Sequence, residues 1–178
     1  MFETERLLVR RIDQGDAGFM LAILTDPGFL ANIGDRGVRT IADAETYIRD
    51  RVLASYEAHG FGMFRVSLKD GDEPVGTAGL VRRPGLDGPD LGFAFLASHV
   101  GRGYAHEASV ALIDWAREAS GIDTLLAITA PTNMASAALL VKLGFVETGR
   151  ITLPDHGGES RLFERRSRHR HSREGGNP

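Results

Sequence analysis

Hydrophobic side chains recur every three or four residues in four segments of the chain, which is the spacing of amphipathic helices. Asp13 is the expected N-terminal cap of the first segment, and Pro27-Gly28 is expected to end it. Asp43 is a candidate cap for the second segment. Glycines follow the later segments, where a left-handed residue commonly closes a helix. The predicted helices cover residues 13–25, 42–58, 104–120 and 134–142.

The remaining segments combine β-branched or alternating residues with flanking turn formers, which is typical of strands. Three of these segments follow one another with only short connections, so they are expected to be antiparallel neighbours. Two strand-and-helix crossovers then complete the chain. This order predicts an α+β fold with a mixed sheet. The predicted strands cover residues 6–12, 61–68, 74–82, 90–96, 124–129, 145–152 and 161–164.

The composition is that of an ordinary folded protein. The chain has 178 residues, of which 42% are hydrophobic and 25% charged, and this fits one globular domain rather than a disordered chain. It contains no cysteine, which excludes a disulfide framework, a thiolate zinc site, an iron–sulfur cluster and a cysteine nucleophile. Any chemistry must therefore use oxygen or nitrogen groups, or a bound cofactor.

Charge divides the chain into two unlike parts. Residues 165–178 contain five Arg and one Glu, whereas the whole chain has a formal net charge of −3. Residues 1–164 therefore carry about −7, and we interpret them as the folded domain. Residues 165–178 are interpreted as a basic, disordered tail, because residues 167–178 contain no large apolar side chain. A basic interaction arm is the alternative for this tail.

Nucleic acid, a membrane and a metal ion are not expected as partners. An acidic domain is a poor ligand for phosphate backbones. No apolar run is long enough to span a bilayer, and the first residues lack the apolar core of a signal peptide, so we expect a cytoplasmic protein. His99 and His106 lie near Glu107, but no third ligand stands at a useful spacing for a metal.

A pair of glycines leads into the third predicted helix. Gly101 and Gly103 flank Arg102, and Tyr104 and Ala105 follow. Uncovered backbone N–H groups at such a turn, together with the positive end of the helix dipole, form a seat for a diphosphate. The segment lacks the Lys-Ser/Thr of a Walker A loop and the third glycine of the dinucleotide fingerprint. A simple tight turn is the alternative.

A second motif surrounds the fourth predicted helix, where Asn133 and Ser136 are followed by Lys142–Phe145 (KLGF). Together with Val100–Ala108 (VGRGYAHEA) and the opening segment Glu3–Arg10 (ETERLLVR), this motif resembles the GNAT superfamily of acetyl-CoA-dependent N-acetyltransferases. The resemblance is strongest to the RimJ/RimL-like branch, which acetylates N-terminal amines of ribosomal proteins, and it covers residues 2–164. It implies the GNAT fold, a mixed and mostly antiparallel central sheet flanked by helices.

The resemblance also implies how acetyl-CoA is held and used. Asp90 occupies the strand position at which relatives often have Glu, and it is the candidate general base. Ser136 occupies the position of the acid that protonates the departing thiolate. A CoA thiol has a pKa near that of free cysteine, about 8.5, so a nearby hydroxyl or bound water suffices. The implied cofactor-binding residues are Phe95, Leu96 and Ala97 for the pantetheine arm, Gly101, Arg102, Gly103, Tyr104 and Ala105 for the diphosphate, and Asn133 for the pantetheine or the acceptor.

Several of these residues depart from the family pattern or have a simpler interpretation. Val100 replaces the usual Trp, and Asp90 is one methylene shorter than Glu. Asn133 is a good helix cap, a role compatible with ligand binding. A solvated hydroxyl is the alternative for Ser136, and an ordinary strand-end carboxylate is the alternative for Asp90.

The predicted function is direct transfer of an acetyl group from acetyl-CoA to a primary amine. The acceptor is a protein N-terminus or a small-molecule amine, and residues 27–40, which line the acceptor site in relatives, do not identify it. The alternative is a catalytically idle acyl-CoA-binding sensor or interaction module. A homodimer is common in the family.

Overall fold

A single mixed sheet forms the centre of the computed structural model, which describes residues 2–154 and 158–166. Its eight strands pair in the order β1-β2-β3-β4-β5-β6-β8-β7, which confirms the predicted α+β fold. The strands β1 to β8 are Phe2–Glu3, Leu7–Arg11, Met63–Leu68, Pro74–Val81, Asp90–Phe95, Thr124–Thr129, Val146–Thr152 and Glu159–Arg166.

Helices cover both faces of this sheet. A π-helical segment, Ile48–Leu53, joins the third helix to the fourth, and 3-10 turns cover Gln14–Asp16 and Ala97–His99. Within residues 2–154 and 158–166, no helix is long and apolar enough to cross a membrane. The helices α1 to α6 are Ala17–Leu24, Pro27–Asn32, Ile41–Tyr47, Ala54–His59, Tyr104–Ser120 and Met134–Lys142.

The sheet is antiparallel except at one junction. Strands β1 to β5 pair as consecutive antiparallel neighbours, and β8 lies between β6 and β7, antiparallel to both. The exception is the parallel pair β5–β6, connected through α5 and joined at the single register position Asp90↔Leu126. Strands β5 and β6 therefore pair near the start of β5 and do not pair with each other beyond that position.

Two apolar clusters fix the helices on the two faces of the sheet. In the larger cluster, Ala108, Leu112 and Ala116 of α5 recur every fourth residue, so one helix face packs on the sheet. In the smaller cluster, Ile23 of α1 and Ile48 of the π-helical segment are buried on the side of α1 to α4. The junction between β5 and β6, in the middle of the sheet, thus lies between the two apolar clusters.

Two helix starts differ from the sequence expectation. Helix α1 ends at Leu24, before Pro27, as the sequence predicts, but Pro27 also begins helix α2, which was not expected. The Asp26 carboxylate accepts a hydrogen bond from Gly28 N at 2.8 Å, and proline suits the first helical turn. Thr40, not Asp43, caps α3. The Thr40 hydroxyl accepts from Asp43 N, and the Asp43 carboxylate accepts from Thr40 N, which forms a capping box.

The last strand is longer than predicted. It reaches Arg166, because Arg165 and Arg166 pair with Leu125 and Thr124 of β6, so the first two residues assigned to the tail belong to the sheet. Residues 167–178, the rest of the predicted tail, lie outside the described residues.

Candidate active site

A cavity of about 530 Å³ lies between the ends of β5 and β6 and the starts of α5 and α6. Of the residues predicted from the sequence, Leu96, Ala97 and Arg102 are not among its described lining residues. The cavity brings together the two candidate catalytic residues and most of the candidate cofactor-binding residues, namely Asp90, Phe95, Gly101, Gly103, Tyr104, Ala105, Asn133 and Ser136.

The backbone of β5 presents free polar groups to this cavity. Leu96 N donates to Val75 O of β4 at 3.0 Å, and backbone groups alternate in direction along an antiparallel strand. The N–H and C=O groups of Phe95 and Phe93 therefore point away from β4, toward β6. Because β6 does not pair with them, these groups are available to an extended ligand such as an amide-containing chain.

The neighbouring residues Leu96 and Ala97 use their N–H groups within the protein. Leu96 N is bonded to β4, as described above, and Ala97 N donates to the Asp26 carboxylate at 3.0 Å. The same carboxylate caps α2. Asp26 thus connects helix α2 to the end of β5, and of the three predicted backbone contacts only Phe95 keeps its N–H free for a ligand.

The glycine turn before α5 exposes a group of backbone donors. Gly101 and Gly103 have φ values of 77° and 81°, a left-handed conformation that favours glycine. No side chain within residues 2–154 and 158–166 caps α5, and its first backbone bond is Glu107 N to Gly103 O. The N–H groups of Tyr104, Ala105 and His106 therefore have no helical acceptor, and they form the kind of anion seat expected at a helix start.

Arg6 braces this turn from the opening segment of the chain. Its Nη1 donates to Arg102 O at 3.1 Å, its Nε donates to Glu107 at 2.7 Å, and its guanidinium lies 4.7 Å from the centre of the Tyr104 ring. Glu107 also accepts from the hydroxyl of Thr4 at 2.5 Å. Partial burial opposes ionisation of Glu107, but these hydrogen bonds outweigh it and lower the pKa of its carboxyl.

Asp90 lies at the inner end of the cavity as a buried ion pair. The side chain is 1% exposed, and both carboxylate oxygens accept from Nε of Arg83, at 3.0 and 3.1 Å. Burial raises the pKa of Asp90, and the attraction and hydrogen bonds of Arg83 only partly offset this effect. A buried carboxylate with a raised pKa is a stronger base than an exposed one.

Asn133 and Ser136 lie together at the start of α6. Asn133 Oδ1 accepts from Ser136 N at 3.1 Å, so the asparagine is the helix cap that the sequence suggests. Both side chains are half-buried and line the cavity. The Ser136 hydroxyl has no hydrogen-bond partner among the described side chains and backbone groups, so it is free to donate.

The sequence interpretation did not assign a role to several residues that hold the site in place. Arg83 lies in the connection between β4 and β5, seven residues from Asp90, and no motif marks it. Arg6 lies in the opening motif, but its contact with Glu107, 101 residues away, leaves no local signal. Asp26 did have a local signal, since an acidic residue followed by proline is typical of a helix start. Glu107 belongs to the helix-entry motif but was given no role there, whereas the structure shows it bound to Arg6.

Comparisons with known proteins agree with this geometry. A family model described as Acetyltransferase (GNAT) domain matches residues 6–146. The uncharacterized N-acetyltransferase YjdG of Bacillus subtilis (strain 168) is 32% identical over 105 residues, which cover 58% of this chain and 62% of that protein, less than two thirds of its length.

Solved structures share the whole fold. An acetyltransferase from Agrobacterium tumefaciens str. C58 is 26% identical, with a TM-score of 0.78, and the match covers 93% of this chain and 94% of that chain. RimL, a ribosomal L7/L12 alpha-N-protein acetyltransferase in complex with coenzyme A, also has a TM-score of 0.78 over 92% of this chain and 96% of its own. At 14% identity, this second likeness concerns the fold alone.

Proposed function

The chain belongs to the GNAT acetyltransferase family, and from this we propose that it transfers the acetyl group of acetyl-CoA to a primary amine, either a protein N-terminus or a small-molecule amine. One observation carries the proposal. The free backbone groups of β5, the N–H groups at the start of α5 and the side chains of Asp90 and Ser136 all border one cavity.

The donors and acceptors of the cavity fit the two polar parts of coenzyme A. The amide-containing pantetheine arm suits the unpaired backbone of Phe93 and Phe95, because it can bond to β5 as an added strand would. The diphosphate suits the N–H groups that follow Gly103. A bound coenzyme A in the fold neighbour RimL supports this assignment. Of the three residues expected to contact the pantetheine arm, Phe95 and not Leu96 or Ala97 is the proposed backbone contact.

Asp90 is the proposed proton acceptor. Acetyl-CoA supplies a thioester that is attacked by an amine only when the amine is neutral, so a proton must leave the acceptor. Asp90 combines a raised pKa with a position on the cavity wall. Its short side chain is held by Arg83, so we propose that a water molecule carries the proton from the amine to the carboxylate.

Ser136 is the proposed proton donor for the thiolate that leaves. Its hydroxyl lines the cavity, and the cap formed by Asn133 fixes the first turn of α6 on which it lies. A hydroxyl next to the sulfur needs to supply a proton only to a group whose pKa lies near 8.5. The role of Asn133 is then to position this turn, in addition to any contact with the ligand.

The RimJ/RimL-like branch is part of the proposal. The opening segment and the helix entry, which carry that resemblance, contact each other through Arg6, Glu107 and Arg102. This contact supports the interpretation that the opening segment and the helix entry form one structural unit. It does not select the acceptor, because Arg6, Arg102 and Glu107 are not among the described lining residues of the cavity.

Binding and turnover test the proposal separately. Isothermal titration of the full chain with acetyl-CoA is expected to show one site per chain, and absence of binding at millimolar concentration contradicts both the enzyme and the idle-sensor alternative. A thiol-release assay over a panel of primary amines then separates the two. Turnover with at least one amine is expected, whereas binding without turnover on any amine favours the sensor.

A further inference from the structure

A smaller pocket of about 130 Å³ adjoins the main cavity on the side of α1, α2 and the π-helical segment. Phe29, Ile33 and Phe93 line both spaces, so the two are neighbours across the end of β5. Most of the other described lining is apolar, and it includes Met20 and Val52. The pocket is thus suited to a small apolar group carried on a molecule that reaches the main cavity.

The charged side chains of this pocket are both cationic. Among its described lining residues there is no Asp or Glu, but there are two arginines, Arg36 and Arg83. Arg36 is half-buried and makes no hydrogen bond or ion pair with a described residue. Arg83 uses only its Nε on Asp90. Its two Nη groups make no bond within residues 2–154 and 158–166, so both arginines can bind a ligand anion.

We propose that the acceptor is a small primary amine that carries a carboxylate, of the class of an α-amino acid with an apolar side chain, and that Arg36 and the Nη groups of Arg83 bind that carboxylate. This inference rests on the proposed acetyltransferase function. A guanidinium presents parallel N–H groups that match the two oxygens of a carboxylate. The apolar lining accommodates the side chain, and the amine extends toward the main cavity.

The same charges disfavour polycationic acceptors. A polyamine or an aminoglycoside brings several ammonium groups, and a pocket that binds them needs carboxylates. No described Asp or Glu lines this pocket, and Asp90, which lines the adjoining cavity, has its charge matched by Arg83. The arginines also serve the reaction, because a nearby cation disfavours the protonated amine and so increases the neutral fraction that can attack.

Matched acceptors test the carboxylate directly. With the full chain and saturating acetyl-CoA, thiol release is measured for leucine and phenylalanine, for their amides, and for the amines that lack the carboxyl group altogether. One charge-assisted pair predicts a kcat/KM about 10- to 100-fold higher for the amino acid than for its amide. Spermidine is expected to be a poorer acceptor than the amino acids. Equal or better turnover of the amides or of spermidine overturns the inference and leaves the acetyltransferase function standing.

Two variants of the same loop provide the residue-level test. Arg36→Gln is expected to reduce the amino acid to amide ratio of kcat/KM by about tenfold. Arg39→Gln is the matched control, because Arg39 is exposed, pairs with Asp35 and lines neither pocket. In this variant the ratio of kcat/KM for the amino acid to that for its amide is expected to stay within twofold of the unchanged chain. A ratio that falls equally in both variants, or in neither, contradicts a carboxylate site at Arg36.

Calorimetry distinguishes failure of the site from failure of the reaction. Leucine is titrated into the full chain in the presence of coenzyme A, and binding that weakens about tenfold in Arg36→Gln supports the site even when no thiol is released. When no primary amine of the panel releases thiol but leucine binds in this way, the proposed function fails and the carboxylate site stands. No binding of leucine and no turnover of any amino acid overturns the inference.

Discussion

Replacing Asp90 by asparagine separates the contribution of this carboxylate to stability from its contribution to catalysis. The variant keeps the shape of the side chain and one acceptor oxygen, but it removes the charge that balances Arg83. Loss of one partner from a buried ion pair costs about 3–5 kcal/mol. Since Arg83 is 21% exposed, the amide oxygen keeps one hydrogen bond and burial already opposes the charged form of Asp90, we expect a loss below this range, about 1 kcal/mol of unfolding free energy.

The catalytic effect is expected to be larger and of a different kind. General base catalysis contributes about 10²- to 10⁴-fold, so kcat is expected to fall at least about 100-fold in Asp90→Asn while the Kd for acetyl-CoA changes little. The thiol-release assay gives kcat, calorimetry gives Kd, and urea unfolding gives stability. Asp87→Asn is the control, because Asp87 is exposed and lines neither pocket. A kcat within threefold of the unchanged chain refutes Asp90 as the base.

The pH dependence adds an independent signature. The base acts when it is deprotonated, so kcat/KM is expected to rise with pH through the Asp90 pKa, which burial raises above the ordinary 3.8. The folded chain binds the proton of the Asp90 carboxyl more tightly than the unfolded chain does. The protonated carboxyl therefore adds to the free energy of unfolding at low pH, and this contribution is lost as pH rises from 3.8 through the folded pKa. Asp90→Asn is expected to lack both trends.

Three further substitutions probe the rest of the site. Ser136→Ala is expected to lower kcat at least tenfold with little change in the Kd for acetyl-CoA, and an unchanged kcat removes Ser136 from the mechanism. Gly103→Ala and Gly71→Ala are both expected to lose about 1–2 kcal/mol of unfolding free energy, because both glycines have left-handed backbones. A Cβ at residue 103 would lie 3.3 Å from Arg6 Nη2, so only the Gly103 variant is expected to weaken acetyl-CoA binding, by about tenfold. If the two variants bind acetyl-CoA with equal affinity, the diphosphate seat is contradicted. Glu107→Gln is expected to weaken the contact with Arg6 and so to raise the KM for acetyl-CoA about three- to tenfold, as measured by initial rates. An unchanged KM shows that the Arg6–Glu107 contact does not support acetyl-CoA binding.

Elements with a strong local pattern could be predicted closely. The bounds of α5, β6 and α6 are the same in the structure as in the sequence prediction, because amphipathic spacing and glycine ends are written in neighbouring residues. Gly101 and Ser136 also lie where the motifs place them, on the wall of one cavity.

Elements that depend on distant partners were predicted less well. The last strand reaches Arg166 because β6 provides partners for it, not because of its own sequence. Helix α2 was not predicted, because Pro27 was interpreted only as the end of the preceding helix. Pro27 also begins α2, where the Asp26 carboxylate caps the first turn.

By itself, the sequence determined the order of helices and strands, the glycine turn before the long helix and the residue types available for chemistry without cysteine. These properties depend on residues within a few positions of each other. Only the tertiary structure decided that β5 and β6 pair at one position and are unpaired beyond it, that Arg83 holds Asp90, and that Arg6 reaches Glu107, 101 residues away. Such contacts depend on how separate elements pack, and packing is set by the whole core rather than by any local pattern.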